Sequence, residues 1–516
     1  MLHSHFFDSV ANQPEQPALW VDERFYSYRE IETRARRLSA RLARFAASHD
    51  TGRCLLFAHR SVDAYVGILG ILDAGMAYVP LNPKMPAARI AAIIRQSGAP
   101  LMLVDEACAA SLDEVLSLVD DPPRILRFDA GAHDSRPSST ALHMQKRRAA
   151  CDVAYILFTS GSTGAPKGVP ITHANADAYV KGQLQIVDKV RDARYMQLCE
   201  LSFDPSVHDM FVCWANGGCL YVPENVDPVG NAAFVQTHRI THWSSVPSVA
   251  GIMQQMRKLT PGAFPSIRVS MFGGEPLPRS LAQAWMRATP NGRLLHMYGP
   301  TEATIACTCF EVTPEFLEDP QHTVIPLGRG LPGVELMIVD AALEPVDAGQ
   351  TGELLIAGPQ LADGYLSPDD PGNSRFITMT YPGMSAHRWY RSSDAARQTS
   401  RHGFVFQGRL DTQVKIRGNR LELEEVEHVV QMSSQAASCA VVPWPLDEVG
   451  RPTGLVAFVT NPEIESALVL RACRLRLPVY AMPQRIVVID AFPLTVNGKI
   501  DRKALVAYCA RGEVAA

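Results

Sequence analysis

The chain has 516 residues, 47% of them apolar and 20% charged, an ordinary globular composition with material for more than one core. Its 49 Lys and Arg against 53 Asp and Glu leave a formal net charge of -4, and no basic block offers a surface to a polyanion, so nucleic acid is not an expected partner. The opening MLHSHFFDSVANQPEQPALW lacks a basic segment ahead of an apolar stretch, and no run approaches the roughly 18 apolar residues that span a bilayer. A cytoplasmic protein with no membrane partner is expected.

From Leu56 to about Val339, short runs rich in Val, Ile and Leu alternate with stretches suited to helices. LMLVD (101–105), AYILFTSG (154–161), GCLYVPE (218–224) and IRVSMFGGE (267–275) are examples, and they predict an α/β fold with largely parallel sheets and flanking helices. Phe128 to Asp152 breaks this pattern and reads as a surface loop. Near Gly408 the texture changes to short strand, turn and helix, which predicts a large domain over 1–407, a junction over 408–411 and a small α+β domain over 412–516. The 11 cysteines are scattered without paired CxxC units and read as reduced core thiols. Cys307/Cys309 and His238/His242 are taken as structural.

FTSGSTGAPKG (158–168) combines permissive glycines, hydroxyl donors and a lysine after a predicted strand. It is not a Walker loop, because Pro166 precedes Lys167 and Gly168 follows it, and GSTG does not supply the GxGxxG spacing. By composition alone a flexible connection is the commoner reading.

YILFTSGSTGAPKGV resembles the phosphate loop of the adenylate-forming superfamily, and further signatures follow in that family's order. These are LDAGMAYVPLNPKMPAARI (72–90), FDPSVHD (203–209), MYGPTEAT (297–304), GELLIAGPQLADGY (352–365), YRSSDAAR (390–397), GRLDTQVKIRGNRLELEEVE (408–427) and LTVNGKIDRKAL (494–505). FGGEPLP, YGPTEATIA and RLDTQVKIRGNRLELEEVE narrow the likeness to amino-acid adenylation domains and stand-alone D-alanine:carrier protein ligases.

The resemblance implies ATP and Mg2+ as cofactors. Thr159, Ser160, Gly161, Ser162, Thr163 and Gly164 would hold the β and γ phosphates, with Lys167 near the departing pyrophosphate. Gly273, Gly274 and Glu275 would also belong to the ATP site. Tyr298 would stack on adenine, Thr301 bond the α-phosphate, Glu302 ligate magnesium, Asp394 accept the ribose hydroxyls and Arg409 reach ribose or phosphate. Asp394 follows Ser392-Ser393 where the family has Thr-Gly, so the local backbone is open. Lys499 would bridge the substrate carboxylate and the α-phosphate. Because it lies on the small domain, a rotation about Asp411 would exchange it for Lys415 and Gly418, which would then line the pantetheine path.

The resemblance also implies that Asp204 binds a substrate α-ammonium; the alternative is a helix cap ahead of Ser206. Pro205, His208, Ser244, Ser270, Phe272, Met297, Ile305 and Ala306 would surround the substrate side chain. Bulky Phe272 and Met297 suggest alanine or glycine first, then serine or proline. The D-alanine ligases carry cysteine where this chain has Gly273, so chirality does not transfer. The expected reaction is aminoacyl-AMP formation followed by transfer to the phosphopantetheine thiol of a separate carrier protein; an acid:CoA ligase or a non-catalytic carrier-binding module are the alternatives.

Overall fold

The computed structural model describes residues 1–46, 52–128, 152–161, 164–224, 227–447, 450–461, 463–495 and 499–511. The loop expected between Phe128 and Asp152 falls outside them, as do Ser162 and Thr163.

Two sheets with parallel cores carry the large domain. One has six strands in the order Arg124–Arg127, Leu101–Val104, Arg53–Phe57, Ala77–Leu81, Val153–Thr159 and Lys167–Thr172, parallel except for the last pair. The other has nine strands, and its parallel middle runs Arg293–Tyr298, Val269–Gly273, His242–Ser245, Arg194–Met196, Cys219–Tyr221 and Pro17–Val21. Antiparallel strands close both of its edges. Parallel strands covered on both faces must be apolar throughout, which is why RCLLF and LMLV are almost wholly buried. Helix Val62–Asp73 is apolar and buried on nearly every face, so it lies in the interior.

A third, five-stranded sheet spans Glu335–Val339 to Gly403–Arg409 and ends the large domain. The chain then passes Asp411 into the hairpin Val414–Ile416 and Asn419–Leu421. A three-stranded sheet with helices Leu423–Ser434, Ser466–Arg474 and Arg502–Ala510 completes the small domain.

One local expectation fails. Ala154–Gly161 is followed by an antiparallel strand, with Thr159 opposite Lys167, so the strand before the glycine-rich segment leads into a second strand rather than a helix. Gly161 is obligatory there, because a Cβ would stand 2.1 Å from the Ala165 carbonyl oxygen.

Candidate active site

A cavity of about 350 Å³ opens where the carboxyl ends of both parallel sheets face the small domain. Its walls are residues that end or follow strands: Leu157–Ser160, Leu198–Glu200, Ser202–Pro205, Ser244–Val246, Met271, Gly273, Gly274 and Met297–Thr301. Open α/β sheets bind ligands at this end because neighbouring connections diverge there and leave a crevice.

Asp204 stands at the head of helix Pro205–Ala215, yet its side chain accepts no bond from the helix backbone. Thr172 and Asp227 do cap their helices, so the capping alternative fails for Asp204 specifically. Its carboxyl faces the cavity and is pushed up to about 6 by burial, with the Glu302 charge adding and Thr301, Lys415 and Arg420 opposing. Among the described residues Asp204 forms no ion pair, and Lys415 and Arg420 act on it only through space. Burial likewise drives Asp209 upward although Ser244 bonds it, and lowers His208 to about 4, so this histidine is a neutral wall bonded to Tyr179 Oη at 2.8 Å.

Ser244, Met297, Ile305 and Ala306 line the cavity with Pro205 and His208. Ser270 and Phe272 do not. Successive strand side chains alternate faces, and this face of Val269–Gly273 turns to Trp285, whose indole N–H donates to Ser270 Oγ at 2.8 Å while its ring meets Phe272 edge-on at 5.0 Å. Met271 and Gly273 take the cavity positions instead. Glu275 is a second correction: it is buried away from the cavity and accepts the Ser248 amide at the start of helix Pro247–Gln255.

At one end of the cavity Tyr298 Oη donates to Asp394 at 2.5 Å, and Arg409 bonds both Asp394 at 2.8 Å and Asp411 at 2.8 Å. Arg375 also reaches Asp411, at 3.1 Å. Ser393 adopts φ +57°, the left-handed conformation that favours glycine, held by Glu353 on its N–H and Leu410 on its carbonyl. The backbone left open by the missing glycine therefore keeps its shape at a local cost of about 1 kcal/mol.

The small domain packs against the glycine-rich segment. Ser160 Oγ donates to the Arg420 carbonyl at 3.0 Å and accepts the Glu422 amide at 3.2 Å, while Arg89 and Glu425 form a buried ion pair across the junction. A Cβ on Gly164 would press against His428 at 3.0 Å, and one on Gly418 would strike Val246 at 2.4 Å. Lys167 lies over the Tyr365 ring and 3.9 Å from Asp370. Thr159, Ser160 and Gly274 line the cavity; Gly161, Gly164 and Lys167 do not.

Glu302 is sealed off. Its oxygens accept Arg420 at 2.7 Å and Tyr365 Oη at 2.5 Å; burial alone would raise its carboxyl, but Arg420 and Tyr365 outweigh that and hold it at about 2. The Arg420 guanidinium thus occupies the oxygen that a magnesium ion would need, and in this orientation the site does not fit the metal.

Lys415 reaches the cavity wall with Gly418, and burial lowers its ammonium, with Asp394 and Asp204 opposing and Arg409 and Arg420 reinforcing. Lys499 is exposed in the turn where Thr495 N–H donates to the Lys499 carbonyl at 2.7 Å, and it does not line the cavity.

Two residues escaped the sequence reading. Arg420 pairs with Glu302, and its Nε is buried with no partner among the described residues. Gln360 is buried, and its amide reaches the carbonyls of Ala303, Thr304 and Ala306. Thr304 and Ile305 hold φ of +56° and +72°, strained values for β-branched residues, so Gln360 fixes a turn that lines the cavity.

Residues 6–366 match the model of the AMP-binding enzyme family, and 425–499 match its C-terminal domain. The chain belongs to the AMP-binding enzyme family. It is 32% identical over 517 residues to the L-proline--[L-prolyl-carrier protein] ligase of Pseudomonas fluorescens, covering 98% of each chain. It is 30% identical to the D-alanine--D-alanyl carrier protein ligase of Bacillus licheniformis, covering 96% of each. Bacitracin synthase 1 of the same species matches at 31% over 98% of this chain, which spans only 9% of that protein. Among solved structures, the Vibrio cholerae adenylation domain AlmE in complex with glycyl-adenosine-5'-phosphate superposes with a TM-score of 0.87 at 31% identity, over 99% of this chain and 98% of that one. The large sheet domain and small C-terminal domain are those of the adenylation fold, and the chain is an adenylating enzyme of the kind found in peptide synthases and carrier protein ligases. Among the described residues no helix is long and apolar enough to cross a membrane.

Proposed function

We propose that this chain activates a small amino acid with ATP as aminoacyl-AMP and passes it to the phosphopantetheine thiol of a separate carrier protein. Asp204 carries the amine part of that reading: a buried, uncapped carboxylate pushed up to about 6 and facing a cavity calls for a cation, and an α-ammonium supplies one. Met271 and Met297 narrow the cavity beyond it, which favours glycine or alanine, then serine or proline. The AlmE likeness supports the same size class.

In the first half-reaction the substrate carboxylate attacks the α-phosphorus and pyrophosphate leaves. Thr301 faces that end of the cavity, and Tyr298 with Asp394 shapes the nucleoside end. Magnesium would shield the phosphates from the incoming anion, at Glu302 only once Arg420 has withdrawn. In the second half-reaction the thiol attacks the mixed anhydride carbonyl and AMP leaves.

The described orientation suits the second half. Ser160, from the phosphate loop, and Glu302 are both held by the segment around Arg420, where pyrophosphate would lie, and Lys415 rather than Lys499 faces the cavity. Rotation about Asp411 would release these contacts and bring Lys499 in. Pyrophosphate exchange across a panel of D and L amino acids tests the assignment: small amino acids should support exchange, and exchange with none would overturn it.

A further inference from the structure

We propose that His59, Asp105 and Cys108 form a binding site for one divalent transition-metal cation of the zinc class, apart from the adenylating cavity. None of the three lines that cavity.

Adjacent parallel strands bring them together. Leu55, Leu56 and Phe57 pair with Met102, Leu103 and Val104, so the residues after each strand emerge side by side. His59 follows the first strand and Asp105 the second, whose N–H extends the ladder to Phe57 O at 3.2 Å. Cys108 is three residues further on, just ahead of helix Ala109–Leu116.

Two of the three donor spacings, those to His59 Nδ1, match what a tetrahedral ion would impose. Zinc bonds of about 2.3 Å to sulfur and about 2.0–2.2 Å to nitrogen or oxygen put neighbouring ligand atoms roughly 3.4–3.6 Å apart. Cys108 Sγ lies 3.3 Å from His59 Nδ1, which lies 3.5 Å from Asp105 Oδ2, and all three donors fall within 4.8 Å of one another. Little movement is needed to admit an ion.

Asp105 is already oriented for the task. Its Oδ2 accepts the His59 amide at 2.7 Å and its Oδ1 accepts the Cys108 amide at 2.8 Å, which leaves lone pairs on both oxygens. Backbone bonds of this kind fix a ligand's direction before the metal arrives.

The charge balance favours a cation over a bare thiol–imidazole contact. A Cys–His hydrogen bond would account for the 3.3 Å spacing but would leave the buried Asp105 carboxylate with no lysine or arginine partner among the described residues. His59 is 45% exposed, which gives an ion a way in and leaves the fourth position to water. Mixed sulfur, nitrogen and oxygen donors select a borderline-soft ion over magnesium or calcium.

Cobalt(II) titration of the chelator-treated full-length chain tests the site. One equivalent should bind with a thiolate-to-cobalt charge-transfer band and the intense visible bands of tetrahedral cobalt, and zinc should displace it. Cys108→Ser should abolish the charge-transfer band, and the exposed His59→Gln should weaken binding by about tenfold or more, with ATP–pyrophosphate exchange retained in both as evidence of folding. If Cys108→Ser does not fold, Asp105→Asn supplies the second variant and should also weaken cobalt binding. Absence of the band in the parent with cobalt in tenfold excess, its persistence in Cys108→Ser, or unchanged cobalt affinity in His59→Gln would overturn the proposal.

Discussion

Two lysines of the small domain stand in opposite circumstances. Lys415, on the hairpin, is enclosed in the cavity wall among Asp394, Arg409, Arg420 and Asp204, and burial lowers its ammonium. Lys499, in a turn at the far end of the same domain, is exposed and away from the cavity. In the described orientation the small domain presents Lys415 and not Lys499; the proposed rotation would exchange them, so that a single cavity would serve two reactions with different charge demands.

The contrast can be broken most forcefully at Lys499. Lys499→Ala is expected to slow aminoacyl-AMP formation by about 10²–10³-fold, the range for removing one electrostatic stabiliser of a transition state, while transfer from supplied aminoacyl-AMP persists. Single-turnover kinetics of each half-reaction measures this. Asp204→Asn serves both reactions and should spare neither: the KM for the amino acid is expected to rise by roughly 100-fold, because truncating one member of a buried charge pair costs about 2–5 kcal/mol. The carboxylate form binds the ammonium, so in the parent this KM should also climb as pH falls through about 6 and Asp204 takes up a proton, a dependence absent from Asp204→Asn.

Lys415→Ala is the converse of the first variant. Thioester formation should drop by roughly tenfold to a hundredfold, the scale of one bond to a charged group, with pyrophosphate exchange retained. Met271→Ala probes the walls rather than the lysines: it should shift the kcat/KM preference toward valine over alanine by about tenfold. Arg420→Ala should loosen the orientation that presents Lys415, lowering transfer by about fivefold, a small coupling between domain states. Unchanged transfer in that variant would remove Arg420 from the exchange.

Much of this was legible because motif order and residue chemistry are local. The α/β class and the small C-terminal domain follow from apolar runs and short signatures, and the signatures holding Asp204 and Thr301 fall on the cavity wall. Side-chain direction on Val269–Gly273 did not, since alternation says that Ser270 and Phe272 share a face but not which face meets Trp285. Asp204 could be separated from a helix cap only by the absence of a cap bond. Ser393 reads as a departure from a glycine pattern, yet its φ of +57° preserves the conformation glycine would favour. Arg420 and Gln360 act through partners more than 50 residues away, Glu302 and the 303–306 turn, and no spacing rule brings such pairs together. For Arg420 the one available signal was its place in GNRLELEE beside Gly418.

The most direct test crosses the two lysines, with both half-reactions measured in Lys499→Ala and Lys415→Ala by rapid quench. Loss of adenylation alone in the first and of thioester transfer alone in the second is expected; equal loss of both half-reactions in either variant would contradict alternating presentation by one small domain.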